Sequence, residues 1–214
     1  MIKHVKQALI TGVGELYLQN MTEEETTSKA PTYAEEVIVT PSIDKVQMSL
    51  ELSEKKVFAS NLLHTDLSGV QSATITLDAL YLPTGFAEEA QGMIKVGGAW
   101  AMPVQPKKKP FRMSFPITDS DGNQVIVNFP KCTLSPVDLN GETQRDEINE
   151  QIQQYNIVAM AMGYKGDLAQ QVVYHKLDLA DPENKAKFEG GKVLETGWYD
   201  NATLETLGAS TVGP

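Results

Sequence analysis

One cysteine, three histidines, 7% aromatics and no long apolar run are what this 214-residue sequence has least of, and each scarcity removes a class of protein. Cys132 has no second cysteine to pair with, so no intrachain disulfide forms; the chain reads as made in a reducing cytoplasm, with stability left to packing and assembly. His4, His64 and His175 lie far apart with no ligand-spaced pair among them, which argues against zinc. No stretch approaches the ~18 apolar residues that cross a bilayer. The opening Met1-Ile-Lys-His-Val-Lys lacks a sustained apolar centre and a small-residue cleavage site, so neither a secretion signal nor a membrane anchor is expected. Basic residues are also short, 18 against 28 acidic ones; the net charge of -10 is the wrong sign for gripping phosphates. It is compatible with an acidic wall past which DNA slides without being bound.

Catalytic signatures are equally scarce. Gly12 and Gly14 lack the third glycine of a dinucleotide loop, no Gly-Lys-Ser/Thr follows, and there is no Gly-x-Ser-x-Gly elbow. Glu23-Glu24-Glu25 reads as solvated acidic surface rather than a metal loop. Asp119, Asp121 and Asn123 alternate as calcium ligands do, but the short interval between Phe115 and Val125 explains them as turn residues, and no glutamate follows at the twelfth position. Lys107-Lys108-Lys109, between Pro106 and Pro110, is the one basic run and reads as an exposed loop or a subunit contact. No catalytic residue, cofactor or metal is nominated, and the chain is read as a non-enzyme. Two alternatives stay open. One is a carbohydrate- or cell-surface-binding β-sandwich of a virion, to which the scattered aromatics lend little. The other is a glycoside hydrolase whose two carboxylates meet only on folding.

What the sequence does have is period-two alternation, the mark of strands with one wet face. Val46, Met48, Leu50 and Leu52 alternate with Gln47, Ser49 and Glu51, and Ala73, Ile75, Leu77, Ala79 and Tyr81 with Ser72, Thr74, Thr76 and Asp78. Phe111, Met113, Phe115 and Ile117, then Asp119-Ser-Asp-Gly-Asn123, then Val125, Val127 and Phe129 predict a hairpin. Pro116 cannot donate to a ladder, so its strand is expected at an edge or to end early. Tyr155-Asn-Ile-Val-Ala-Met-Ala-Met162 predicts a strand buried on both faces, while 143–152 fits helix or strand alike. Short strands are expected at Leu16-Tyr-Leu18 and Val37-Ile-Val39, joined by a polar loop over 20–33. Thr84 is placed to cap a helix over Phe86-Ala-Glu-Glu-Ala-Gln91 that stops at Gly92; a second helix opens at Asp181-Pro182 and stops at Gly190-Gly191. With 41% hydrophobic residues the chain folds, as one main β-rich domain with minor helix, and 209–214 form a frayed end.

The order of these segments resembles the major tail proteins, or tail tube proteins, of long-tailed, siphovirus-like bacteriophages and prophages of Gram-positive bacteria. Ile10-Thr-Gly-Val-Gly-Glu-Leu-Tyr-Leu18, the polar loop, Thr40-Pro41 and the strand over 43–52 are similar to the family's opening. Ser72-Ala-Thr-Ile-Thr-Leu-Asp-Ala-Leu80 followed by 83–93 resembles its strand and short helix. Lys109-Pro-Phe-Arg-Met-Ser-Phe115, Asp121-Gly122 and Val125-Ile-Val-Asn-Phe-Pro-Lys-Cys-Thr-Leu134 resemble its strand, acidic-glycine turn and Phe-x-Lys strand. The resemblance covers 1–162, a tail-tube β domain; 163–214 are a C-terminal extension completing or decorating the fold. It implies a mainly-β sandwich or barrel with a short flanking helix. It also implies six subunits per ring, inner strands joined across subunits, and rings stacked head to tail around a channel for DNA. The implied partners are further copies of the chain, tape measure and tail terminator proteins, and DNA in transit without specific binding; there is no membrane partner and no cofactor. Assembly would take place in the bacterial host cytoplasm, and the product would be the tail of the virion. The candidate lumen-facing residues are Gln47, Ser49, Glu51, Thr74, Thr76 and Asp78. The loop over 20–33, and after it residues 1–10, are the candidates for ring stacking.

Overall fold

A computed structural model of the chain describes residues 9–53, 56–59, 62–66, 69–137, 151–163 and 172–182. The fold is mainly β. In chain order the elements are β1 (Ile10–Val13), β2 (Leu16–Glu23), β3 (Thr32–Tyr33), β4 (Ile38–Thr40), β5 (Ile43–Ser53), β6 (Lys56–Ala59), β7 (Leu62–Asp66) and β8 (Gly69–Ala79). They continue with α1 (Phe86–Gln91), β9 (Ile94–Val96), β10 (Ala99–Ala101), β11 (Phe111–Asp119), β12 (Gln124–Leu134), β13 (Gln153–Met160) and β14 (His175–Asp178).

Ten strands form one antiparallel sheet in the order β3-β2-β11-β12-β13-β8-β5, with β4 added to β2, β1 to β11 and β14 to β12. The sheet curls until β1 approaches β5, without the two hydrogen-bonding. Its inner face is apolar because alternation puts Leu16 and Leu18, Ile75 and Leu77, Phe111 and Met113, and Phe129 and Ile157 on the same side. Helix α1 covers part of that face with Phe86 and Ala90, the Phe86 ring standing edge-on to Phe111 at 5.1 Å. Burying each large side chain there contributes about 1.5–3 kcal/mol.

Strand β8 follows its alternation through its middle, burying Ala73, Ile75, Leu77 and Ala79 and leaving Thr74, Thr76 and Asp78 half-exposed. Ser72, expected on the wet side, is buried, and Tyr81, expected inside, lies past the strand's end and is exposed. The hairpin β11–β12 turns where expected, with Gly122 at φ 81°. Other expectations are corrected. Pro116 neither ends β11 nor places it at an edge: β11 runs on to Asp119 between β12 and the pair β2 and β1. The missing donor is harmless because β2 pairing stops at Ser114 and β1 pairing starts at Ile117, so Pro116 falls where the neighbouring strand changes. Strand β13 is buried on one face only, with Asn156 exposed between Tyr155 and Ile157. The N-cap of α1 is Gly85 at φ 93°, not Thr84, and its N–H donates to the Glu88 carboxylate at 2.6 Å; Gly92 closes the helix at φ 84° as expected. Within 20–33 the chain stays extended through Glu23 and returns as β3. Two hairpins, β6–β7 and β9–β10, were not foreseen. From the extension, β14 joins the main sheet beside β12. The segments 1–8, 143–150 and 209–214, Trp198, and the helix beyond Pro182 lie outside the described residues.

Candidate functional site

The six polar residues singled out from alternation meet on one face of the β5–β8 pair. Gln47 stands opposite Thr76, Ser49 opposite Thr74, Glu51 opposite Ser72 and Lys45 opposite Asp78, and directly opposed residues share a face. The same face extends over β13, where Asn156 opposes Thr76 and Gln154 opposes Asp78. Its side chains are knitted together: Ser72 Oγ and Thr74 Oγ1 each donate to the Glu51 carboxylate at 3.0 Å, and Gln154 Nε2 donates to Asp78 Oδ1 at 3.0 Å. The result is a band of hydroxyls, amides and carboxylates, hydrogen-bonded laterally and accessible to water.

The reverse face of this strand pair is apolar but loses its cover toward the Ser53–Gly69 end, where Met48, Leu50 and Val70 are exposed and Leu52 is 63% exposed. No strand among the described residues bonds to the outer edge of β5, which is eleven residues long. That edge offers a row of backbone donors and acceptors bordered by bare apolar side chains, the arrangement that recruits another strand.

The outer face of β2, β11, β12 and β14 buries polar side chains, which alternation alone assigns to water, beside the apolar Ile126 and Leu177. Arg112, only 3% exposed, donates from Nε to Gln19 Oε1 at 2.7 Å and lies 3.8 Å over the Tyr33 ring. Gln19 donates to the Ala34 carbonyl and Tyr33 to the Pro130 carbonyl at 3.0 Å, so the group clamps β3 onto β2, β11 and β12. Burial pushes the Tyr33 phenol up to about 12, against the opposing pull of Arg112. Beside this clamp Tyr17, Ser114, Asn128 and His175 follow one another across four strands. Ser114 Oγ and both polar atoms of the Asn128 amide are buried and have no hydrogen-bond partner among the described residues. Ser114 and His175 are two strand spacings apart, about 10 Å, which is beyond reach of a nucleophile and its base.

The remaining candidates act as connections. Lys131 donates to Glu24 at 3.1 Å and Glu25 at 2.9 Å, and Glu25 also accepts the Gly163 N–H at 3.0 Å, pinning the 20–33 segment to β12 and the end of β13. Asp119 Oδ1 accepts the N–H groups of Asp121 and Asn123 at 2.9 and 2.8 Å, so the alternating acids serve the turn. In the basic run, Lys109 pairs with Glu89 at 2.9 Å while Lys107 and Lys108 are exposed. Cys132 is buried, and burial pushes its thiol well above the ordinary range. His4 lies outside the described residues. Among the described residues no three His, Cys, Asp or Glu converge as metal ligands, and no helix is long and apolar enough to cross a membrane. No protein-family model matches the chain and no curated protein is significantly similar to it, so a functional reading rests on the hydrogen-bonded polar band and the open edge of β5.

Proposed function

We propose that this chain is the structural subunit of a phage tail tube, polymerising as stacked rings of six around a channel for DNA. The observation that carries the reading is the open outer edge of β5, with polar side chains on one face and bare apolar ones on the other. A subunit that keeps such an edge in isolation is exposed to indiscriminate strand pairing; a closed ring consumes every edge by giving it a neighbour. In that ring Gln47, Ser49, Glu51, Thr74, Thr76 and Asp78 line the channel. Their acids and hydroxyls hold water and repel phosphates, so DNA passes without being gripped. The chain then acts without catalysis, in company with tape measure and tail terminator proteins, and ends in the tail of the virion. Negative-stain microscopy of the purified protein over a concentration series, with mass measurement of the soluble fraction, tests this. Six-membered rings or hollow tubes are expected, and a persistent monomer at high concentration overturns the reading.

A further inference from the structure

The 29 residues from Ala90 to Thr118 contain five cations and no acid, so the rest of the chain holds 13 basic against 28 acidic side chains. The fold turns this asymmetry in sequence into one in space. Hairpin β9–β10 closes through Gly97 and Gly98, at φ 59° and 87°, the two-residue turn whose twist suits a hairpin. Its register sets Ile94 opposite Ala101 and Val96 opposite Ala99, making one apolar face on which Ile94 is 51% and Val96 57% exposed. On the other face Lys95 lies 4.7 Å over the Trp100 ring. The chain then passes Lys107 and Lys108, which have no ion pair among the described residues, before entering β11. The segment returns against the end of α1: Gly92 lies so close to the Lys107 backbone that an added methyl would stand 2.6 Å from its carbonyl.

At the far end of β11, nine residues or about 30 Å away at ~3.3 Å per residue, the signs reverse. Asp119 and Asp121 occupy the turn, and Asp178 stands beside it opposite Val125, followed by the exposed Asp181. Lys176 is the one cation described on β14. The hairpin end also carries Glu23, Glu24, Glu25 and Glu89, each paired with Lys29, Lys131 or Lys109. What it presents outside those pairs is Lys107, Lys108 and the apolar hairpin, against the carboxylates of the other end. A body of this kind is complementary to its own copy in one orientation, head to tail. Such a heterologous contact does not close on itself but extends.

We infer that the β9–β10 hairpin, with Lys107 and Lys108, docks on the Asp119–Asp121 turn and Asp178 of a second copy of this chain. The inference rests on the tube reading for one point only, that the resulting rows are joined sideways into rings.

The test uses the full chain, with sedimentation and microscopy over salt and protein concentration series, and circular dichroism to confirm the fold. Lys107→Glu with Lys108→Glu, and separately Asp121→Lys with Asp178→Lys, are each expected to raise the concentration needed for association by about tenfold or more, because like charges then meet. Combining the four substitutions restores opposite signs and is expected to recover association. Ile94→Ser with Val96→Ser is expected to weaken the part that survives high salt. Undiminished association of both charge reversals overturns the inference, as does failure of the combined variant to recover while folded. Loss of binding to duplex DNA in the lysine variant, with self-association unchanged, overturns it in favour of a nucleic-acid contact. Salt-sensitive rows without six-fold rings leave the inference standing and remove the tube reading; tubes indifferent to both reversals do the opposite.

Discussion

Gly14 and Pro116 share one point of the sheet: the Gly14 N–H donates to the Pro116 carbonyl at 2.8 Å, and a methyl on Gly14 would stand 2.6 Å from Pro116 Cγ. The proline ring fills the gap left where β2 gives way to β1, and only a residue without a side chain can face it. Gly14→Ala is therefore predicted to destabilise the fold by about 1–3 kcal/mol through overpacking. Urea denaturation measures this, and Pro116→Ala in the same chain should relieve part of the loss. Full additivity of the two changes would show that the close approach is not the cause.

That junction also shows what local patterns miss. Alternation over Ala73, Ile75 and Leu77 was legible because one face of β8 is wet, and the candidate band was legible for the same reason. In β11 the same rule sends Arg112 and Ser114 to water, whereas the structure buries both, Arg112 against Gln19 and the Tyr33 ring, contacts between strands distant in sequence that no local pattern announces. Pro116 looked like an edge residue because a ladder rule cannot know that two strands share one border. Val96-Gly97-Gly98-Ala99 did carry a readable hairpin signal. The open edge of β5 did not, since it depends on the order of strands distant in sequence.

Ser114 and Asn128 oppose each other with their side-chain polar atoms buried and unpartnered among the described residues, and each such group costs about 1–3 kcal/mol. Replacing both by apolar residues of similar size, Ser114→Ala with Asn128→Leu, is predicted to stabilise the protein by about that amount. Thermal and chemical denaturation give the answer. A net loss of stability would mean that the amide has a partner when the protein is in solution.

Acid should weaken the fold in two steps. Burial holds the His175 imidazole below its ordinary value, so the unfolded chain takes up that proton first. Its share of stability is complete above about pH 6.5 and declines below it. At Glu25 desolvation works to raise the carboxyl, but the Gly163 N–H and the Lys131 ammonium outweigh it and hold it below 4.5. The stability from Glu25 is thus present above that value and is lost as pH falls through the lower folded value. His175→Gln should remove the upper step and Glu25→Gln the lower, read from denaturation midpoints across a pH series. An unchanged profile in either variant would assign its step to another group.

Thr76 offers a direct probe of the channel. Its side chain lies half-exposed in the middle of the polar band, opposite Gln47 and Asn156, and a cysteine there is expected to leave the fold intact. The one native thiol, Cys132, is buried and held protonated, so it provides little background. In the unassembled Thr76→Cys protein, a small maleimide and one attached to a large polymer should both react. After assembly into tubes a lumen-facing thiol still meets the small reagent, which diffuses along the bore, but is shielded from the large one. Equal labelling by both reagents in tubes would put the band on the outer surface, and protection from both would put it in a subunit contact. Either outcome would move the channel lining away from Gln47, Ser49, Glu51, Thr74, Thr76 and Asp78, while the proposed β9–β10 contact would be unaffected.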